Sequence, residues 1–190
     1  MEQNLTETLT TLRDKAYNDA KEKGFHDKEY SDEHWLMLIV CEIAEAVEAD
    51  RRGEHANMNA YETNIRCGEK PDVAFCRHIK DTVEDELADV CIRVLDFMGL
   101  KSFDVKENID KWADYAANAY KGNESFCEIM FALASCLLNR RHLGYCDALT
   151  DTILVMIFAY CKLNNIDILR HIQLKMEYNR TRPRLHGKRY

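Results

Sequence analysis

The chain has 190 residues, nearly half of them hydrophobic, and a formal net charge of −7. That length suits one compact domain, or two small ones sharing a core. No apolar run approaches the ~20 residues needed to cross a bilayer, MEQNLTETLTTLRDK lacks the apolar stretch of a secretion signal, and a net-acidic body gives no reason to bind nucleic-acid polymers, so a soluble cytoplasmic protein is expected.

Glycine and proline punctuate segments of helical periodicity, with almost no alternating strand pattern. Residues 4–23 carry Leu5, Leu9, Leu12, Ala16 and Ala20 on one face and stop at Gly24. A second helix starts at Ser31 or Asp32, either a plausible N-cap, and runs to Arg52 before Gly53. Residues 53–71 are polar and weakly periodic and read as an inserted loop. A third helix opens at Asp72 after Pro71 and continues to Met98, with Gly99 as its stop. A fourth spans 104–121, with Asp104 and Glu107 as a capping box. A fifth begins at Ser125 and ends near Arg141, a sixth covers 146–163, and a seventh runs from Asp167 to Asn179. The expected fold is an all-α helical bundle in a single domain, 1–190.

The eight cysteines include no CxxC pair, and most fall in apolar periodic segments. They read as buried, reduced thiols rather than a disulfide or zinc framework.

The second helix carries acids where a core is expected. At ~100° per residue, Trp35, Leu38, Ile39, Ala46 and Ala49 fall within about 60° of Glu42, and Glu45 stands at the edge of that stripe. The third helix repeats the arrangement: Ile79, Val90 and Phe97 lie within about 40° of Glu86, with Asp89 at the rim. Glu48, Glu84, Asp85 and Asp96 read as surface acids. If the two stripes face each other, four carboxylates converge, which is costly unless a cation sits among them. Hard oxygen ligands favour Mg²⁺, with Mn²⁺ or Ca²⁺ as variants, and a carboxylate-held Mg²⁺ is a common phosphoryl-transfer device. A di-iron bundle competes less well, because neither pair has the Glu-x-x-His it requires.

Glu42-Ile-Ala-Glu45 followed by Glu86-Leu-Ala-Asp89 resembles the ExxE…ExxD signature of the MazG-like and dimeric dUTPase-like all-α nucleoside triphosphate pyrophosphohydrolases. The likeness covers roughly residues 30–99, and the C-terminal stretch 167–190 also fits. The resemblance implies Mg²⁺ bound by Glu42, Glu45, Glu86 and Asp89, and hydrolysis of a nucleoside triphosphate between its α and β phosphates. It leaves open a dUTPase-like specificity and a homodimer. One departure stands out: forty residues separate Glu45 from Glu86, more than the family's usual gap, and the segment 53–71 accounts for the excess. That segment caps the site and selects the base, or is inert.

A worn second copy follows. SFCEIMFALASCLLNRR lies on LIVCEIAEAVEADRR with Glu128 in the place of Glu42, and CDALTDTILVMIFAY lies on EDELADVCIRVLDFM with Asp151 in the place of Asp89. Phe131 and Ala148 occupy the places of Glu45 and Glu86. The chain thus reads as a pseudo-dimer, with a catalytic half (1–121) and a degenerate half (122–190). Glu128 reads first as the capping partner of Ser125, and Asp151 as a local hydrogen-bonding group.

From Lys175 to the end the chain holds six Lys or Arg against one acid, so this tail is +5 and the rest −12. Lys175 and Asn179 are neighbours on one helix face, and Arg182, His186 and Lys188 follow. The K-x-x-x-N-x-x-R…HGK pattern resembles the C-terminal ends of MazG-like proteins. Lys175, Asn179, Arg182 and Lys188 are therefore expected to contact phosphate or sugar. His34, Trp35 and His55 are candidates for touching the base. The rival readings are a catalytically silent helical interaction module and a metal-storage bundle.

Overall fold

The computed structural model describes residues 4–120, 122–138 and 147–190. Every regular element among them is a helix: α1 (Leu5–Glu22), α2 (Asp32–Arg52), α3 (Met58–Arg66), α4 (Pro71–His78), α5 (Val83–Lys101), α6 (Ile109–Ala119), α7 (Phe126–Leu138), α8 (Asp147–Leu163) and α9 (Ile168–Thr181), then a 3₁₀ turn (Arg184–Gly187). The all-α bundle expected from periodicity is present. The expected end of the fifth helix near Arg141 falls outside the described residues. No single described helix is long and apolar enough to cross a membrane.

α5 is the axial helix. α2 packs along it, α1 and α9 lie against its other faces, and α8 reaches it from the far side. α7 lies on α2, and α6 on α8. One continuous core runs through Leu12, Ile39, Leu87, Val94, Leu133, Ile153 and Ile172. Burying such aliphatic side chains supplies about 1.5–3 kcal/mol each, the main favourable term for a bundle of this kind.

Several boundaries move. Residues 53–71 hold a helix of more than two turns between irregular stretches: Asn57 caps α3 by accepting from the Ala60 amide at 3.0 Å, and Pro71 supplies the first position of α4, where a missing N–H costs nothing. The third helix read as continuous is two. Residues 79–82 break it, with Asp81 in left-handed backbone (φ 63°), and α5 restarts under the Thr82 cap. Ile79 therefore belongs to a satellite core with Tyr61, Ala74, Phe75 and Leu174, not to the stripe of Glu86. α6 starts at Asn108 without a side-chain cap, so Asp104 and Glu107 form no capping box. Ser125 and Glu128 do form one: the Ser125 hydroxyl accepts from the Glu128 amide, and the Glu128 carboxylate accepts from the Ser125 amide at 2.7 Å.

The thiols also depart from expectation. Cys91 and Cys161 are buried, but Cys41, Cys76 and Cys127 are exposed, because they fall on the polar rather than the apolar arc of their helices; Cys67, just past the end of α3, is exposed as its loop position implies.

Gly99 does not end a helix. It lies inside α5, and a Cβ there would stand 2.6 Å from Cβ of Tyr17 on α1. The missing side chain lets α1 and α5 approach, and the helix stops later, at Ser102 in left-handed backbone. Gly99→Ala should therefore destabilise the fold by about 1–3 kcal/mol through overpacking, despite alanine's better helix propensity. Urea denaturation checks this; unchanged or raised stability would show that the two helices have slack.

Candidate metal and phosphate site

The stripe of α2 places Glu42 against α5, where Glu86 and Asp89 rise one turn apart. One carboxylate oxygen from each of the three lies within 4.8 Å of the others. Glu42 and Glu86 are buried and Asp89 is half-buried. Glu45 is exposed and stands outside this triad, in a neighbouring cleft that also holds Glu86. Three of the four expected acids thus meet, and the fourth lines the next compartment.

The electrostatics record the crowding. Burial pushes the Glu86 carboxyl up to about 8; Lys175 opposes that shift, and Asp89, Asp85 and Glu45 add to it. Burial also raises Glu42, helped by Asp89 and opposed by Arg93. Oε2 of Glu86 is buried with no hydrogen-bond partner among the described residues. Carboxylate oxygens this close, one of them without a donor, fit a hard divalent cation, and no Cys or His joins the triad to favour a softer metal.

The triad borders a cleft of about 340 Å³ between α1, α5 and α9. Glu42 and Asp89 line it together with Asp96 and, from α1, Asp19 and Glu22, and Asn179, Arg182 and Lys188 line it too. Arg93 and His186 line it as well. Arg93 was overlooked: its guanidinium donates to Oε1 of Glu42 at 2.9 Å and lies 5.7 Å from the Phe25 ring centroid. An arginine one turn beyond Asp89, within the otherwise apolar stretch from Val90 to Leu95, was the available signal. His186 is held down at about 4 by burial, with the Arg182 and Arg93 charges adding to the effect.

Lys175 corrects one expectation. It is 4% exposed, and its Nζ lies 2.7 Å from carboxylate oxygens of both Asp85 and Asp89. Burial would lower its pKa, but those two carboxylates outweigh it and hold the ammonium strongly charged. It braces the acids and does not line the cleft, because its helix face turns toward α5. Asp85, read as a surface acid, is 1% exposed for the same reason. Glu84 and Asp96 are also buried, Glu84 bonding His55 and the Ala56 amide, and Asp96 bonding His26 at 2.7 Å. Glu48 is exposed, as expected.

The tail is clamped where it crosses α1. The Lys23 ammonium donates to the carbonyls of Arg180 and Arg182, the Leu185 amide donates to the Lys23 carbonyl at 2.9 Å, and Arg184 pairs with Asp27. Leu185 and His186 both take left-handed backbone. Such strain persists only where surroundings hold it.

None of the residues lining this cleft comes from 53–71. From that segment Tyr61 shares the satellite core with Leu174 of α9, and α4, which follows it, stacks Phe75 on Tyr178 at 4.6 Å. His55 is engaged with Glu84, and Trp35 is buried among His26, Tyr30 and His34. In the second half, Asp151 is buried beside Lys106, accepting from its amide at 3.4 Å, and Phe131 is 74% exposed.

No family model, curated protein or solved structure matches this chain.

Glu86 gives a pH prediction for protein held in chelator. Below its ordinary value of 4.5 it is protonated folded and unfolded, and its contribution to stability is complete. As pH rises, the unfolded chain ionises while the folded state keeps the proton, so that stability is lost up to about 8. The melting temperature of wild type minus that of Glu86→Gln should therefore fall between these limits, and added Mg²⁺ should flatten the slope. A difference independent of pH in chelator would show that the burial of Glu86 is not electrostatically costly.

Proposed function

We propose that this chain is a Mg²⁺-dependent nucleoside triphosphate pyrophosphohydrolase, converting NTP or dNTP and water to the monophosphate and pyrophosphate. The observation that carries this reading is a carboxylate triad, Glu42, Glu86 and Asp89, of which Glu42 and Asp89 line one cleft together with Asn179, Arg182 and Lys188. Acids for a cation and bases for an anion share one space of about 340 Å³, within the range of small-ligand pockets. The resemblance to the MazG-like ExxE…ExxD signature supports the same reading and supplies the bond that is cut.

Glu42, Glu86 and Asp89 would hold the ion, with Glu45 at the rim. Bound there, a divalent cation supplies Lewis acidity and offsets the charge of the phosphates. Arg182 and Lys188 bind the outer phosphates, Arg182 as a planar donor fork and Lys188 as a mobile point charge. Asn179 orients the Arg182 guanidinium, which donates to its Oδ1 at 3.4 Å. Arg93 holds Glu42 in place. The water oxygen bonds to the α-phosphorus, the bond from that phosphorus to the α–β bridging oxygen breaks, and pyrophosphate leaves with that oxygen. The water's proton passes to solvent, because Glu45, the exposed acid outside the triad, lines the neighbouring cleft and not the one that takes the phosphates.

α7 and α8 close the bundle against α2 and α5. We read them as a degenerate counterpart of that pair, with Glu128 used as a cap and Asp151 paired locally.

The test is pyrophosphate release from a panel of nucleoside triphosphates, with dUDP included, in Mg²⁺ and in chelator. Glu42→Gln should lower kcat at least about 10²-fold, the effect of a few kcal/mol of barrier. Arg182→Ala should raise KM about tenfold, the loss of one charge-assisted hydrogen bond of ~1.5 kcal/mol. Folded protein that releases no product from any nucleotide would leave a silent helical module as the better reading.

A further inference from the structure

Behind the triad lies a second group of acids, at the turn that separates α4 from α5. Ligand oxygens of Asp81, Asp85 and Glu86 lie within 4.8 Å of one another. That is the span of oxygens on opposite sides of one hard cation, which binds each at about 2.0–2.6 Å. A cleft of about 260 Å³ opens over Asp81 and Glu86, and Glu45, Glu48 and Arg52 complete its walls.

The turn is stiffly built. The Thr82 hydroxyl donates to the Ile79 carbonyl at 2.6 Å and accepts from the Asp85 amide, and the Asp81 amide donates to Oδ2 of Asp85 at 3.0 Å. Lys175 neutralises that same Oδ2 from the α9 side, and Lys80 pairs with Asp81 at the surface. Neither reaches the other oxygen of Asp85. Oδ1 is buried without a hydrogen-bond partner among the described residues, on a side chain 1% exposed. Oε2 of Glu86, in the same cluster, is in the same condition. A buried acceptor left unpaired costs about 1–3 kcal/mol, more when charged, and a shared cation removes that cost for both oxygens. The set contains no Cys or His, so its chemistry selects Mg²⁺ or Mn²⁺ over zinc.

We propose that Asp81, Asp85 and Glu86 form a second divalent-cation site of the all-oxygen class, served by the cleft of Glu45, Glu48 and Arg52. Only Glu86 is shared with the triad, so the two ions lie on either side of one carboxylate. The site stands on this geometry alone and does not rest on the proposed hydrolysis.

Mn²⁺ is the probe, and bound ions are counted at saturation by electron paramagnetic resonance. Asp81→Asn is the chosen variant, because asparagine tolerates the left-handed backbone at position 81 and the Lys175 pairs remain intact. Wild type should bind two ions and Asp81→Asn one. Glu42→Gln should also bind one, and the double variant none. A wild type that binds a single ion, or an Asp81→Asn protein that keeps both, overturns the proposal. Pyrophosphate release does not enter this count. Two ions without hydrolysis would sink the proposed function and leave this site standing; hydrolysis with one ion would do the reverse.

Discussion

The Lys175 ammonium, buried between the carboxylates of Asp85 and Asp89, sets where α9 lies against α5. A lone ammonium or carboxylate at this depth is heavily penalised, and only their mutual presence makes either tolerable. The pair also carries specificity: two carboxylates a turn apart on α5 accept one ammonium from α9 in one register. Once α9 is fixed there, Asn179 and Arg182 follow on its last turn and beyond, and they face the acids across the cleft. Lys175 thus acts on the site through Asp89, by holding the carboxylate that borders the cleft.

Charge is divided in space as it is along the chain. The acids of the triad come from α2 and α5, and most bases of the cleft from the last helix and the tail, while Arg93 of α5 bridges both sets and α1 adds Asp19, Glu22 and, at its end, Lys23. One ammonium and one guanidinium meet the crowd of acids, and they leave Glu86 with its carboxyl pushed up to about 8. Burial and crowding raise Glu42 and Asp85 as well, and they meet at Glu86, which belongs to both acidic groups. A cation that relieves it does so from either side, which is why that residue, rather than Glu42, is the centre of the arrangement.

Legibility in the sequence followed the range of the interactions. Helices α1, α2, α7, α8 and α9 were readable from their stripes, and the paired acids of Glu42 and Glu86 from their place within those stripes, because helical periodicity is a local property. Asp85 was misread because its partner is ninety residues away on α9, and nothing on its own helix marks it. Glu84 and Asp96 failed for the same reason, since His55 and His26 come from connecting segments. Gly99 misled because a glycine that ends a helix and one that lets two helices touch look alike until the second helix is placed. The segment 53–71 concealed α3 because that short helix buries little beyond Tyr61 in a small satellite core, so most of its residues stay polar.

That satellite core ties residues outside the cleft to α9. Phe75 stacks on Tyr178, which directly precedes Asn179, and the Lys175 ammonium lies 5.8 Å from the centroid of the same Phe75 ring. α4 thus supports α9 from behind, at Leu174 and Tyr178, while Met176, Asn179 and Arg180 line the cleft. From the other side, Lys23 ties down the carbonyls of Arg180 and Arg182. The tail turns sharply just beyond, where Leu185 and His186 hold left-handed backbone at a cost of order 1–3 kcal/mol each. A free terminus would relax that strain. This one keeps it because the Lys23 contacts and the Arg184–Asp27 pair over-determine its path. Arg182, His186 and Lys188 are thereby ordered over the acids before any ligand arrives, and an anion that binds there meets charges whose ordering entropy folding has already met.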